Sequence, residues 1–296
     1  MPAPRLAILA PLLLASAGLT ATGTRAQIGP DHTGNAIWDD GKAEIAFYEV
    51  ERAQDQYGRT NPQTFPVGTY LVKHNYDQAT ESKANRGGIE AFKWALFYEF
   101  ESGAYQYKRS YIINSARADL APLKSSFNSF DWCSNLYREL AFEADGDVRY
   151  LQRSDDYGNA EKSFRALENA YPWTTLPLVV RFLDLSSGAV RFDLLLEDGS
   201  TVGVRAELAG HEDVETAAGT LEAEKIVLRY DGRAPSLIGE QASSEEHYFR
   251  GTDPANLLVA VRAADGRYSM VLTEELRSAY WQEDFYPRLK RVNVRP

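Results

Sequence analysis

Five Asp-Gly pairs punctuate this chain, in WDDGKA (38–43), EADGDV (143–148), LEDGST (196–201), RYDGRA (229–234) and AADGRY (263–268). Three of them divide apolar runs: LAFEADGDVRYL, FDLLLEDGSTVGV and LLVAVRAADGRYSMVL. Asp-Gly supplies the positive φ angles that tight hairpins demand, so each of the three predicts a pair of antiparallel strands. The pairs keep no fixed period. That spacing argues for a meander of strands and against a solenoid.

The clearest alternation runs from Phe92 to Phe100. Phe92, Trp94, Leu96, Tyr98 and Phe100 hold one parity, and Ala91, Lys93, Ala95, Phe97 and Glu99 hold the other. Successive side chains of a strand face opposite ways, so the first set forms one aromatic stripe. After ESGA (101–104) the pattern returns, with Tyr105, Tyr107, Arg109, Tyr111 and Ile113 in one parity. A helix through 89–100 competes, because IEAFKWALFYEF is also rich in helix formers. The alternation favours strand because it continues through the hairpin.

One segment departs from the β pattern. NAEKSFRALENAYPWTTLPLVVRFLDL (159–185) carries Pro172 and Pro177, and Leu178, Phe182 and Leu185 recur at helical spacing. Proline is tolerated in a first helical turn, so a short helix over about 174–184 can begin at Thr175 or Leu176. The expected architecture is mainly β: a curved antiparallel sheet, an open or half β-barrel, with one short helical segment. Residues 38–285 form this domain, as one body or as two coupled halves meeting near 155–185. QIGPDHTGNAI (27–37) reads as a loose, flexible leader and 286–296 as a C-terminal tail.

The N-terminus predicts the compartment. Arg5 precedes an apolar run from Leu6 to Leu19, and Thr24-Arg25-Ala26 offers a small–x–small cleavage site. That is a secretory signal peptide over 1–26, cleaved near Ala26 to release a periplasmic or secreted protein. The run is shorter than the roughly 20 residues that span a bilayer, so no transmembrane anchor is expected. The only cysteine, Cys133, lies too far downstream to carry a lipid anchor. An unpaired thiol in an oxidising space is expected to be a buried packing residue, beside Trp132 on a strand near the concave face. The net charge of −10 excludes the basic stripe that nucleic-acid phosphates need.

Chemistry-bearing motifs are sparse. His32, His74, His211 and His247 are too scattered for a metal site, and no metal or cofactor is expected. No nucleophile elbow or phosphate-binding loop is present. Glu99 and Glu101 share a strand face and, with His247, are the groups a hydrolase without a recognisable motif would have to use. The aromatic stripe is core packing on one reading. On the other it lines a partly wet concave surface, with Phe92, Trp94, Tyr98, Phe100, Tyr105, Tyr107, Tyr111 and Trp132 as ligand-lining candidates and Arg109 and His247 as polar ones.

The tail EEHYFRGTDPANLLVAVRAADGRYSMVLTEELRSAYW (245–281) resembles the end of a bacterial exported envelope family of unknown function. The shared features are Tyr248-Phe249, the turn at Pro254, strands over Leu257 to Val261 and Tyr268 to Leu272, and the closing Tyr280-Trp281. VETAAGTLEAEKIVLRY (214–230), DDGKAEIAFYEVERA and FDWCSNLY extend the likeness over about 38–283. His247 and Arg250 stand where plainer strand residues are expected. The resemblance implies an open sheet wrapped around a helix, as in the lipoprotein carriers LolA and LolB, and no catalytic residues. The expected function is non-enzymatic binding of an apolar or amphiphilic, lipid-like ligand. The alternatives are an interaction module for another envelope protein, or a hydrolase.

Overall fold

The computed structural model describes residues 27–282, except 57–58, 104, 133, 168–169, 237 and 239–242. Residues 1–26, where a signal peptide is expected, the expected tail over 286–296 and Cys133 lie outside the described residues.

The first run of strands is β1 (Ala43–Gln56), β2 (Arg59–Asp77), β3 (Ser82–Ala84), β4 (Ile89–Ser102), β5 (Tyr105–Ala116), β6 (Pro122–Phe130), β7 (Asn135–Phe142), β8 (Asp147–Ser154) and β9 (Ala160–Arg165). After the short β10 (Ala170–Pro172) and helix α2 (Leu176–Phe182), a second run follows. It comprises β11 (Val190–Leu195), β12 (Thr201–Thr216), β13 (Gly219–Ala234), β14 (Ser243–Gly251), β15 (Leu258–Ala263) and β16 (Tyr268–Ser278). The aromatic segment 89–102 is strand, and the three Asp-Gly pairs between apolar runs turn β7 into β8, β11 into β12 and β15 into β16. Their glycines hold φ of +90°, +91° and +73°, the left-handed region that glycine enters without Cβ strain. The other two pairs do different work. Gly41 precedes β1, and Asp231-Gly232 sits where the β13–β14 register shifts.

All these strands belong to one sheet, ordered β10-β11-β12-β13-β14-β15-β16-β1-β2-β4-β5-β6-β7-β8-β9, with β3 beside β2. Neighbours are antiparallel except the β10–β11 pair. The pairing of β16 with β1 joins the two runs, so no boundary divides the sheet into halves. The two ends of this path, β9 and β10, are adjacent in sequence. Laid flat, its fifteen strands would be about 67 Å wide at the usual spacing of about 4.8 Å. From Arg165 to Ala170 the chain reaches at most about 18 Å, at roughly 3.5 Å per residue. The sheet therefore has to roll up. Leu140, Val148 and Tyr150 from one edge pack with Ala170 and Leu195 from the other, which closes the seam with side chains.

Inside the roll lies α2, entered through a 3-10 turn at Trp173–Thr175 and begun with Pro177 in its first turn. Every residue from Leu176 to Phe182 is buried, Arg181 included. The helix therefore has no wet face, and its core spacing reflects enclosure on all sides. Arg181 donates to both carboxylate oxygens of Glu44, at 2.7 Å each, and to the carbonyls of Ala255 and Asn256 at 2.7 and 3.0 Å. Arg250 grips the end of the helix, donating to the carbonyls of Val180, Arg181 and Leu183 and to Glu224. A cation there meets the negative end of the helix dipole.

The leader is not loose. Helix α1 (Pro30–Thr33) and a 3-10 turn (Ala36–Asp39) dock it against the end of α2. Gly29 donates to the Phe182 carbonyl at 2.9 Å, and Ile28 bridges Leu183. Trp38 is buried edge-on against Phe92 and Phe182, and Arg117 binds Asp39 and the Thr33 carbonyl. Polar, glycine-bearing composition concealed these long-range partners, which only the folded sheet supplies.

Arg181→Met leaves Glu44 buried without its cation, and a loss of about 3–5 kcal/mol in urea unfolding is expected. Replacing Glu44 by Met as well should restore part of it, because the carbonyls of Ala255 and Asn256 still lack their donor. A single-variant loss under about 1 kcal/mol would show that the pair does not secure the helix.

Candidate functional site

The aromatic stripe faces inward and is consumed by packing. Phe92, Trp94, Tyr98 and Phe100 are each at most 4% exposed. Phe92 stacks on Phe182 of α2, Tyr98 on Phe65, and Phe100 on Tyr107. These four are core and not ligand-lining surface. Tyr105 lies exposed at the start of β5. Trp132 is 79% exposed in the connection between β6 and β7, outside any strand, so it is not an inward packing residue.

The same inward parity continues past the helix and there lines an open cleft of about 710 Å³. Tyr111 on β5 pairs with Phe127 on β6, Phe127 with Arg138 on β7, and Arg138 with Gln152 on β8. The next row carries Arg109, Ser129 and Leu136. Tyr150 and Lys162 extend the wall, Trp173 supplies an aromatic ring from the turn before α2, and the β11–β12 turn contributes Glu197 and Asp198. The cleft exists because α2 is only seven residues long and fills one side of the roll. On the uncovered side the inner face turns partly polar.

Rings and charges alternate along this surface. Tyr111 and Phe127 lie 4.7 Å apart, with Trp173 edge-on to Tyr111. The Arg109 guanidinium sits 5.0 Å over the Phe100 ring, and the Lys162 ammonium 4.8 Å over Tyr150. Such cation–π contacts hold the charges at the wall. Arg138 donates to Glu197 at 2.7 Å and to Gln152 at 3.0 Å. Burial raises the Glu197 carboxyl above its ordinary value, while Arg138 pulls the other way. At Asp198, hydrogen bonds from Ser200 lower the carboxyl instead.

Of the residues singled out in the sequence, Tyr107, Arg109 and Tyr111 meet in the cleft. His247 does not. Its neighbour Tyr248 is in the core, so strand parity turns His247 outward, where it pairs with Glu245 at 3.0 Å. Glu99 is likewise outside and bridges Lys108, and Glu101 is exposed. The groups a hydrolase was expected to use thus do not flank the cleft. Phe127, Arg138, Tyr150, Lys162, Trp173 and Glu197 were not foreseen. Phe127 and Arg138 carry the Tyr111 row onward, a signal that becomes readable only once the β5–β6 and β6–β7 registers are known. Among the described residues, no group of three or more His, Cys, Asp or Glu side chains could hold a metal ion.

No family model matches the chain, and no curated protein matches it. Among solved structures it is similar to a crystal structure from Brucella abortus, a β-barrel-like protein of a domain of unknown function, DUF1849. The two share 7% identity over 80% of this chain and 98% of the other, with a TM-score of 0.49.

Arg138→Met should raise the Glu197 carboxyl further, because burial is then opposed only by the smaller pull of Lys162. A carboxyl raised in the folded state favours folding below its ordinary value and loses that contribution as pH rises through the shifted range. The variant's urea midpoint, relative to the parent, should therefore be lower at pH 7 than at pH 4. Equal differences at both would show that Arg138 does not counter the burial of Glu197.

Proposed function

We propose that this is a non-enzymatic envelope protein, exported by its N-terminal segment, that binds an amphiphile with a hydroxyl-rich ring as its head. The observation that carries this reading is the pairing of stacked rings with wall-held charges in a cleft of about 710 Å³. That volume lies within the usual range for small-molecule sites, roughly 300–1,000 Å³. A bare hydrocarbon would strip water from the Lys162 ammonium and from the Arg138–Glu197 pair without supplying hydrogen bonds in its place, and burying charge in that way is costly. The sugar-like head of an amphiphile can answer both demands. Its ring face lies on the half-buried Phe127, which Tyr111 and Trp173 back from the core, and its hydroxyls meet the carboxylates and guanidinium groups. The interior around the helix is packed with strand side chains and leaves the long acyl chain of a lipoprotein no comparable room, so the lipid-carrier expectation narrows to this polar cleft.

A second reading rests on a different observation. Phe130, Trp132 and Tyr157 are 51%, 79% and 70% exposed, and all lie on β6, β8 or their connections to β7 and β9. Aromatic residues at that level of exposure also suit contact with another envelope protein.

Dodecyl maltoside, titrated below its micelle concentration, should change tryptophan fluorescence in the parent. The change should disappear in Trp173→Phe and weaken in Tyr111→Phe. Palmitate should leave the signal flat. Palmitate binding with maltoside silent would overturn the proposal. A partner captured from the envelope through Trp132 and Tyr157, with no maltoside response, would establish the second reading instead.

A further inference from the structure

The outward parity of β4 carries a second site. Ala91, Lys93 and Ala95 alternate with the core aromatics, so a lysine stands between two small side chains on the outer face. Lys93 lies directly opposite Val72 of β2 on one side and Asn114 of β5 on the other, and Asn114 lies opposite Lys124 of β6. This row crosses the floor of a trough of about 530 Å³. His74 and Tyr76 of β2 and Lys83 of β3 border it, and Tyr280 and Trp281 form an aromatic wall beyond β16. Tyr280 is placed there by its ring contact with Tyr70, at 5.9 Å.

The trough reverses the charge of the chain around it. In a protein with net charge −10, four lysines line it against one carboxylate, Glu81. Lys73 is held by Asp39 and Glu90, and Lys124 by Glu139 at 2.8 Å. Lys83 and Lys93 have no carboxylate within ion-pair distance among the described residues. Their field reaches His74, whose imidazole is lowered by burial first and by Lys93 and Lys83 as well. His74 meets Asn114 at 2.9 Å. The Tyr76 hydroxyl, on a side chain 1% exposed, finds no hydrogen-bond partner among the described residues. A buried polar group of this kind is normally satisfied, and this one borders the trough.

We infer that this trough binds a phosphate ester carrying a planar group, with the dianion at Lys93 and Lys83 and the planar group against Trp281. Two ammonium groups supply point charges, and His74 and Asn114 offer polar contacts beside them. The site faces away from the inner cleft. Neither needs the other, and loss of one leaves the other standing.

Phenyl phosphate, titrated calorimetrically into the full chain, tests it. Lys93→Met should weaken binding about tenfold or more, the scale of one lost charge-assisted contact, while Lys93→Arg retains most of it. Lys225→Met, which removes a lysine paired with Glu212 on β12, should change nothing. Trp281→Ala should weaken phenyl phosphate but leave inorganic phosphate unaffected, and the His74 ring protons should shift on binding. Co-sedimentation with phosphatidylglycerol vesicles that depends on Lys93 would identify a lipid headgroup as the natural source of the ester. Phenyl phosphate binding without such sedimentation would identify a soluble one. Absence of binding, equal losses in Lys93→Met and Lys225→Met, or equal affinity for inorganic and phenyl phosphate would overturn the inference.

Discussion

Two arginines hold a buried helix in place, and the rest of the architecture follows from that. Arg181 sits 2% exposed inside the roll, where an unpaired guanidinium would be severely penalised. It is tolerated because Glu44 on β1 meets it with both oxygens, and two backbone carbonyls take further donors. Arg250 on β14 satisfies carbonyls that the short helix leaves open at its C-terminal end. One helix is thereby tied to β1, to β14 and to the loop before β15. The stretch 174–184 is too short to be a stable helix alone, and these ties, together with apolar enclosure, make it the centre of the fold.

The same device produces the asymmetry on which the proposed binding depends. A seven-residue helix cannot fill a roll built from sixteen strands. Where it reaches, the inward faces of β1, β2 and β4 are large and apolar: Trp94, Tyr98, Phe100 and Phe65 pack into a continuous core. Beyond its reach, over β5 to β9, serine, arginine and glutamine enter the inward rows. Those residues could not be buried dry without partners. The change of composition along the rows thus marks the edge of the core and the start of the cleft.

Strand β4 shows how tightly the two faces of such a sheet are coupled. Its aromatic parity secures the interior, while its alanine-lysine parity shapes the outer trough. A one-residue slip in register would exchange the two sets and place Lys93 in the core. The aromatic core therefore fixes the register that positions the outer lysine. Packing inside the roll and charge placement outside it are decided by one pairing.

What the sequence determined by itself was local. Asp-Gly pairs set the hairpins, because a positive φ is a property of two residues. Alternation identified β4 and β5, because side-chain direction has period two, and Pro177 marked the start of the helix through its own ring. Which residues share a face was legible: Tyr107, Arg109 and Tyr111 hold one parity, and all three line the cleft. What each face meets was not. Phe92 and Phe100 meet only core, while Tyr111, buried as well, backs Phe127 at the wall of a cleft. That difference depends on how far a helix some 65 residues downstream reaches along the roll. The docking of the leader, the pairing of β16 with β1 and the closure from β9 to β10 are likewise contacts between distant segments. They are chosen by burial and register across the whole sheet, and no window of neighbouring residues contains that information.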